Sequence, residues 1–369
     1  MRTITLIYNT TAYVYKFRIN LIQAIQRLGY EVVVVSPRDE YVDKLRALKI
    51  RHHHIEMSQY GLNPLSELKT IYNIYQVLKL YNPEYSLHYT IKPNIFGGIA
   101  ALFTNTKVIN NIAGAGKAFT KEKSLFAKTI SLLYKLGLSK SFKVLFQNYD
   151  DMDLFVSNKI VKVDKVIRIP GSGVNLESYK TQSNSSGNQF LFVGRLLKEK
   201  GIEYYLEAAQ MTLDICPNSS FKIVGEHEDR PEYIDKGLLD KYLLNKKISY
   251  YGSVSPDIMP QILDEASCIV LPSYYREGVP RSLLEAAAMS KVIITTNNVG
   301  CKEVVDDGVN GYKCQIKDVE CLHHAMIKFI GLPNEVKLQM GMNGRLKMEQ
   351  EFNEKIVINT YLNLIKENR

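Results

Sequence analysis

The segment from Cys268 to Met289 constrains the fold more than any other part of this chain. Its first residues, Cys268-Ile269-Val270-Leu271, form an apolar run that reads as a buried strand. A loop containing Gly278 and Pro280 follows, and the Ala- and Leu-rich stretch from Arg281 to Met289 reads as a helix. Doubly wound α/β domains bind nucleotides at such a place, where a strand gives way to a loop and a helix start, because the first N–H groups of the helix face the ligand. Two carboxylates, Glu277 and Glu285, lie within the segment. An unbroken helix would carry them on one face, but Gly278 and Pro280 interrupt it. Glu277 is therefore expected in the loop at a pocket mouth, with Glu285 deeper. Taken alone, the pair reads equally well as a solvated Glu and a helical Glu paired with a Lys.

The same alternation runs along the whole chain. Apolar β-branched runs at Thr3–Tyr8, Val32–Ser36, Tyr85–Tyr89, Lys107–Asn110, Val144–Gln147 and Val166–Ile169 predict strands. Helical periods at Tyr13–Leu28, Glu40–Leu48, Leu65–Leu80 and Asn94–Phe103 lie among them. The polar run from Glu177 to Gln189 then reads as a linker. Strands resume at Phe190–Val193, Phe221–Val224, Ile248–Tyr251, Cys268–Leu271 and Val292–Thr295, again with helices between. Strands separated by helices imply parallel sheets, and 369 residues exceed what one hydrophobic core usually serves. The expected architecture is α/β, with two Rossmann-like doubly wound domains facing a cleft.

Five cysteines without C-x-x-C spacing argue against a disulfide framework and fit a reducing cytoplasm. The first residues read as a strand, with no signal peptide expected, and no stretch approaches the ~20 apolar residues of a membrane span. Charge is uneven: Met1 to Ser178 holds 24 Lys and Arg against 13 Asp and Glu, whereas the remainder holds 23 against 25. The densest part, Lys107 to Lys143, includes Lys117, Lys121, Lys123, Lys128, Lys135 and Lys140 with only Glu122 opposing. Apolar residues recur in it at helical spacing, so it reads either as a basic amphipathic helix on an anionic membrane or as a packed helix with a solvated Lys face. No nucleic-acid-binding module accompanies the charge.

Three motifs carry a resemblance. Glu277-Gly278-Val279-Pro280, followed by Leu283-Leu284-Glu285-Ala286, is similar to the signature of family 4 retaining glycosyltransferases, the glycosyl transferases of group 1. Gly194-Arg195, with Lys200-Gly201 after it, resembles their second signature, and Ile169-Pro170-Gly171-Ser172-Gly173-Val174-Asn175 their exit from the first domain. All three occur in the family's order. The resemblance implies the GT-B fold: residues 1–178 as an acceptor-binding domain, 190–350 as a nucleotide-sugar-binding domain, and 351–369 as a helix crossing back to the first. It also implies that Glu285 holds the ribose hydroxyls and Glu277 a hydroxyl of the donor sugar, with the backbone of Gly278, Val279 and Pro280 close to the sugar and diphosphate. A leaving diphosphate gains charge as the glycosidic bond breaks, so fixed cations aimed at its oxygens are needed. Gly194 ends a strand, and Arg195 and Lys200 just after it supply those cations. With the charge so neutralised, no metal or other cofactor is expected.

The segment His88-Tyr89-Thr90-Ile91-Lys92-Pro93-Asn94 resembles transferases that extend polyprenyl-diphosphate-linked sugars in bacterial surface polysaccharide or glycoprotein pathways. It places His88 and Lys92 as candidate contacts of the acceptor diphosphate; the alternative is an ordinary strand end. Many relatives carry His or Glu where this chain has Ala113, so no catalytic base is assigned. The implied activity transfers an N-acetylhexosamine such as GalNAc from a UDP-sugar to a lipid-linked saccharide, at the inner face of the bacterial plasma membrane. Transfer of another hexose, a GT-B epimerase, or a UDP-sugar-binding protein without turnover are the other readings. There is no G-x-x-x-x-G-K-[ST], and no G-x-G-x-x-G after the first strand. The triplet His52-His53-His54 alternates faces if it is a strand, which disfavours a shared metal ion.

Overall fold

The computed structural model describes residues 2–58, 63–116, 119, 125–180 and 187–367. The chain divides into two compact units, Met1–Ser172 with Ile356–Arg369, and Gly173–Lys355.

The first unit opens with β1 (Arg2–Ile7), α1 (Thr11–Arg27), β2 (Tyr30–Ser36), α2 (Tyr41–Ala47), β3 (Arg51–His54), α3 (Pro64–Tyr81) and β4 (Tyr85–Tyr89). A π-turn, Pro93–Gly97, leads into α4 (Gly98–Ala101), then β5 (Lys107–Ile112), α5 (Leu125–Gly137), β6 (Lys143–Phe146), α6 (Tyr149–Ser157) and β7 (Val166–Arg168). All seven strands pair in parallel in the order β3-β2-β1-β4-β5-β6-β7. Helices cover both faces of such a sheet, so its central strands must be apolar throughout; Val32 to Val35, all buried, meet that demand. Start and stop signals bound α3: Asn63 Oδ1 accepts from Leu65 N–H at 3.1 Å, Pro64 takes the first position, and left-handed Asn82 ends it.

The second unit contains β8 (Gln189–Val193), α7 (Ile202–Ile215), β9 (Ser220–Val224), α8 (Lys236–Leu243), β10 (Ile248–Tyr250), α9 (Met259–Glu265), β11 (Cys268–Leu271), α10 (Arg281–Ala288), β12 (Val292–Thr296), β13 (Gly311–Cys314), α11 (Val319–Ile330) and α12 (Asn334–Glu351). Its parallel sheet runs β10-β9-β8-β11-β12-β13. Strand order therefore reverses between β8 and β11, just as it reverses between β1 and β4 in the first unit. The last helix, α13 (Glu354–Lys366), begins at the end of the second unit and continues into the first. There the Tyr361 hydroxyl accepts from Asn111 Nδ2 at 2.9 Å.

Two strands and one helix depart from the sequence-based expectation. Strand β3 is Arg-His-His-His at the sheet edge, with no apolar alternation to signal it. Its three rings bond separately: His52 to Ser36 Oγ, His53 to the Tyr81 hydroxyl, and His54 Nδ1 to the Arg38 N–H. Strand β13 is Gly-Tyr-Lys-Cys and equally inconspicuous. The helix expected over Asn94–Phe103 is replaced by the π-turn and the four residues of α4. Among the described residues, no helix is long and apolar enough to cross a membrane.

Candidate functional site

In an open α/β sheet the crevice for a ligand lies beyond the C-terminal strand ends where the order reverses. In the second unit that place is formed by the loops after β8 and β11, which carry Gly194–Gly201 and Pro272–Pro280. The two loops are in close contact. Gly201 has φ +80°, and a Cβ there would fall 2.1 Å from the Pro272 carbonyl oxygen, so both the backbone angle and the space require glycine. The Glu199 carbonyl accepts N–H bonds from Tyr274 and Tyr275 at 2.9 and 3.0 Å. The Lys200 ammonium consequently meets the Glu277 carboxylate in an ion pair, and Ser273 Oγ donates to the same Glu277 oxygen at 3.1 Å.

The far side of the β11 loop is held by the last residue of β12 and those that follow it. Thr296 Oγ1 donates to the Ser273 carbonyl, and Asn298 Nδ2 to the Tyr275 carbonyl at 2.6 Å. Gly300, at φ +82°, approaches so closely that a Cβ would lie 2.2 Å from the Gly278 carbonyl oxygen. The backbone of Glu277 and Gly278 is thus clamped from both sides. Ser273, Thr296, Asn298 and Gly300 carry no sequence signature, because each acts only through a contact that the fold creates.

Glu285 lies inside α10, whose N-cap residue, Pro280, provides no side-chain hydrogen bond. Gly201 likewise gives α7 none. The N-termini of α7 and α10, with their positive ends, therefore adjoin the two loops that carry Arg195, Lys200 and Glu277, an arrangement suited to an anion. Glu285 pairs with Arg281, whose Nε donates to Oε1 at 2.6 Å. The expected difference in depth between the glutamates is absent: Glu277 is 9% exposed and Glu285 8%. Glu277 is in the loop as expected, but the strap after β12 covers it. Val279 and Pro280 are buried beside it, whereas Gly194 and Arg195 are partly exposed. Burial, with a smaller contribution from the Glu277 charge, pushes the adjacent Cys301 thiol up to about 12, so it stays protonated and is no nucleophile.

In the first unit, His88 and Lys92 flank the end of β4. His88 is wholly buried, with Nε2 bonded to Ser86 Oγ at 2.8 Å and its ring against Gly97, where a Cβ would come within 2.8 Å. Direct contact with an acceptor through this ring, an expectation from the sequence, does not fit the enclosure. Lys92 pairs with buried Glu67 at 2.5 Å and donates to Ser58 Oγ at 2.6 Å. Between them Thr90 adopts φ +64°, an unfavourable angle for a β-branched residue and a kind of strain that clusters at ligand sites.

The family model for glycosyl transferases group 1 matches residues 174–347, and that for glycosyl transferase 4-like proteins matches residues 4–148. Residues 174–347 are a glycosyl transferases group 1 domain, and the chain is a glycosyltransferase. Among the relatives of this glycosyltransferase, N,N'-diacetylbacillosaminyl-diphospho-undecaprenol alpha-1,3-N-acetylgalactosaminyltransferase of Campylobacter jejuni is 28% identical, over 96% of this chain and 95% of the relative. The UDP-Gal:alpha-D-GlcNAc-diphosphoundecaprenol alpha-1,3-galactosyltransferase of Escherichia coli is 25% identical, over 86% and 83%. Among solved structures, sucrose-phosphate synthase of Thermosynechococcus elongatus superposes with a TM-score of 0.83 at 18% identity, over 100% of this chain and 99% of that one. HepE of Anabaena in complex with UDP-glucose gives 0.81 at 16%, covering 100% of both. At these identities the structural likeness establishes the GT-B fold.

The enclosure of His88 has a consequence for stability. Burial depresses its pKa to about 3, so the native imidazole stays neutral while the unfolded one protonates near the ordinary value of 6.5. Between these values the unfolded state binds the extra proton, and stability falls as pH falls, by at most ~1.4 kcal/mol per pH unit for one group. Urea unfolding of the glycosyltransferase and of His88→Gln at pH 7, 6 and 5 should show a steeper loss in the wild type. Parallel pH dependences would contradict the enclosure.

Proposed function

We propose that this glycosyltransferase moves a sugar, an N-acetylhexosamine such as GalNAc, from a UDP-sugar to a polyprenyl-diphosphate-linked saccharide, with retention of the anomeric configuration. The pathway would assemble bacterial surface polysaccharide or a glycoprotein glycan. The observation that carries the reading is the Lys200–Glu277 ion pair between the two loops where the second sheet reverses its order, with Arg195 on the first loop and Glu285 on the helix that follows the second. In this reading Glu285 accepts from the ribose hydroxyls, and Arg195, Lys200 and the N-terminus of α10 neutralise the diphosphate. Gly278, Val279 and Pro280 lend backbone to the sugar and diphosphate, and Gly194 lets the nucleotide approach β8. Arrival of the diphosphate draws Lys200 away from Glu277, which frees that carboxylate to accept a sugar hydroxyl. The acceptor hydroxyl attacks the anomeric carbon on the face the diphosphate leaves. The carbon–oxygen bond to phosphate breaks, and the departing phosphate oxygen takes the acceptor's proton. Two cations serve the role a divalent ion would otherwise fill. The names of the Campylobacter and Escherichia relatives support a lipid-diphosphate acceptor, and they disagree on the sugar, GalNAc in one and Gal in the other.

Acceptor binding falls to the turn after β4. Lys92 exchanges Glu67 for the acceptor diphosphate, while His88 supports the π-turn beneath. Lys200→Ala tests the donor half. Losing one preorganised charge contact should lower turnover about 30- to 1000-fold, with the melting temperature nearly unchanged. A panel of UDP-sugars read by protection against thermal unfolding names the donor. Near-wild-type turnover in Lys200→Ala would remove the assignment, and donor binding without UDP release in the presence of any lipid-linked acceptor would favour a non-catalytic sensor.

The acceptor's lipid implies work at an anionic membrane surface, as a peripheral protein on the cytoplasmic face. Helix α5 supports this reading. It packs inward through Ala127, Ile130 and Tyr134 and turns Leu125, Leu132 and Leu136 outward, 81%, 68% and 46% exposed, beside exposed Lys128 and Lys135. Helix α3 likewise exposes Leu65, Leu68 and Tyr72. Lys117, Lys121 and Lys123 of the basic segment lie outside the described residues. Each Lys near an anionic surface contributes on the order of 1 kcal/mol, screened over ~10 Å at 0.1 M salt. Lys128→Gln combined with Lys135→Gln and Leu132→Gln should therefore reduce sedimentation with anionic liposomes, most at low salt. Equal sedimentation of variant and wild type would leave α5 as a packed helix with a solvated Lys face.

A further inference from the structure

In the first unit, the chain between β1 and α1 is firmly pinned. Thr10 Oγ1 donates to Asp39 Oδ2 at 3.3 Å, the Ala12 N–H donates to the same oxygen at 2.9 Å, and Thr11 Oγ1 donates to the Pro37 carbonyl at 2.6 Å. The turn after β4 is fixed as well, with the Thr90 carbonyl accepting from the Asn94 N–H at 3.1 Å. The ends of β1 and β4 run side by side: Ile7 is the register partner of His88, and the rings of Tyr8 and Tyr89 stack 4.8 Å apart. Asn9 and Thr90 are the next residue on each of these ends, and neighbouring strands lie about 4.8 Å apart. Within this frame Asn9 Oδ1 and Thr90 Oγ1 are shielded from solvent, yet neither has a hydrogen-bond partner among the described residues. Each such atom costs stability. Thr90 costs more, because its φ of +64° strains a β-branched residue.

We propose that Asn9 and Thr90 recognise the acceptor by its saccharide and determine specificity for that sugar. This rests on the proposed function, which gives the acceptor to the turn after β4. The chemistry of the pair selects its ligand. An amide oxygen only accepts, so Asn9 Oδ1 needs a donor. The oxygens of a doubly esterified diphosphate are acceptors and cannot serve it, whereas a sugar hydroxyl or an N-acetyl N–H can. The Thr90 hydroxyl both donates and accepts, so it can take a second group on the same ring. Lys92, two residues further on, is left for the diphosphate. Two idle polar atoms and a strained backbone at one place are a cost that a hydroxylated ligand explains, because it completes both bonds.

The test combines melting with kinetics on Asn9→Ala, Thr90→Gly and Thr90→Ser. The acceptor probe is a short-chain polyprenyl-diphosphate-linked N-acetylhexosamine, and the donor is the UDP-sugar that protects the wild type against unfolding. Asn9→Ala and Thr90→Gly should each raise KM for the acceptor roughly 3- to 10-fold, the scale of one hydrogen bond, and leave KM for the donor unchanged. Neither should melt below the wild type, since one removes an unpaired atom and the other gives the positive φ to glycine. Thr90→Ser keeps the hydroxyl and should keep the wild-type acceptor KM. The same polyprenyl diphosphate without a sugar should inhibit all four proteins equally. An unchanged acceptor KM in Asn9→Ala and Thr90→Gly would overturn the proposal. So would a lower melting temperature with both KM values shifted together, which is the mark of a structural role, or weaker inhibition of the variants by the sugar-free lipid. Failure of the wild type to release UDP with the acceptor probe would overturn the proposed function itself, and this assignment with it.

Discussion

The close approach of the loops after β8 and β11 is the constraint on which the candidate site depends. Gly201 lies against the Pro272 carbonyl, and that contact allows the Glu199 carbonyl to collect two N–H bonds from the opposite loop. Lys200 and Glu277 are then forced together at side-chain exposures of 16% and 11%. A pair so nearly buried gives up most of its hydration, and its net contribution to stability is small or unfavourable. Its retention makes sense if a ligand later replaces one partner. In the proposed complex a diphosphate would offer Lys200 a stronger counter-charge than one carboxylate, and the freed carboxylate would accept from a sugar hydroxyl. On the proposed reading the resting structure stores both recognition elements as each other's counterions, and Arg281 and Glu285 form a second ion pair within α10.

The first unit answers the same geometric problem with different chemistry. Its strand order also reverses at the centre, between β1 and β4, and there the chain places strained Thr90, the enclosed His88 and the Lys92–Glu67 pair. A buried imidazole cannot be a first contact for a ligand. It can hold the turn that carries one, because Gly97 rests on its ring and the π-turn begins at Pro93.

Much of this was legible in the sequence, for identifiable reasons. The runs of β2, β8 and β11 are buried on both faces and almost wholly apolar, so composition reveals them, while β1 and β4 keep enough apolar and aromatic residues to be read despite buried Thr5, Ser86 and His88. Gly278 and Pro280 mark the end of a loop because both are poor helix formers, and α10 starts directly after Pro280. Edge strands escape that logic: β3 and β13 each border only one neighbour, and Arg-His-His-His has no face that must be buried. The partners of the site were hidden for another reason. Ser273, Thr296 and Asn298 are ordinary polar residues whose meaning arises from tertiary contacts across as many as 74 positions of sequence, as between Ser273 and Glu199. The π-turn was misread as a helix because Pro93 and the apolar run after it satisfy helical period equally well.

The division of labour between the two glutamates is the centre of this account, and calorimetry with UDP on Glu285→Gln and Glu277→Gln tests it most directly. Glu285→Gln removes a charged acceptor from the ribose and should weaken UDP by ~1.5–3 kcal/mol. Glu277→Gln leaves Lys200 without its counterion and should bind UDP at least as tightly as the wild type, while sugar transfer falls. Equal loss of UDP affinity in both variants would contradict the account.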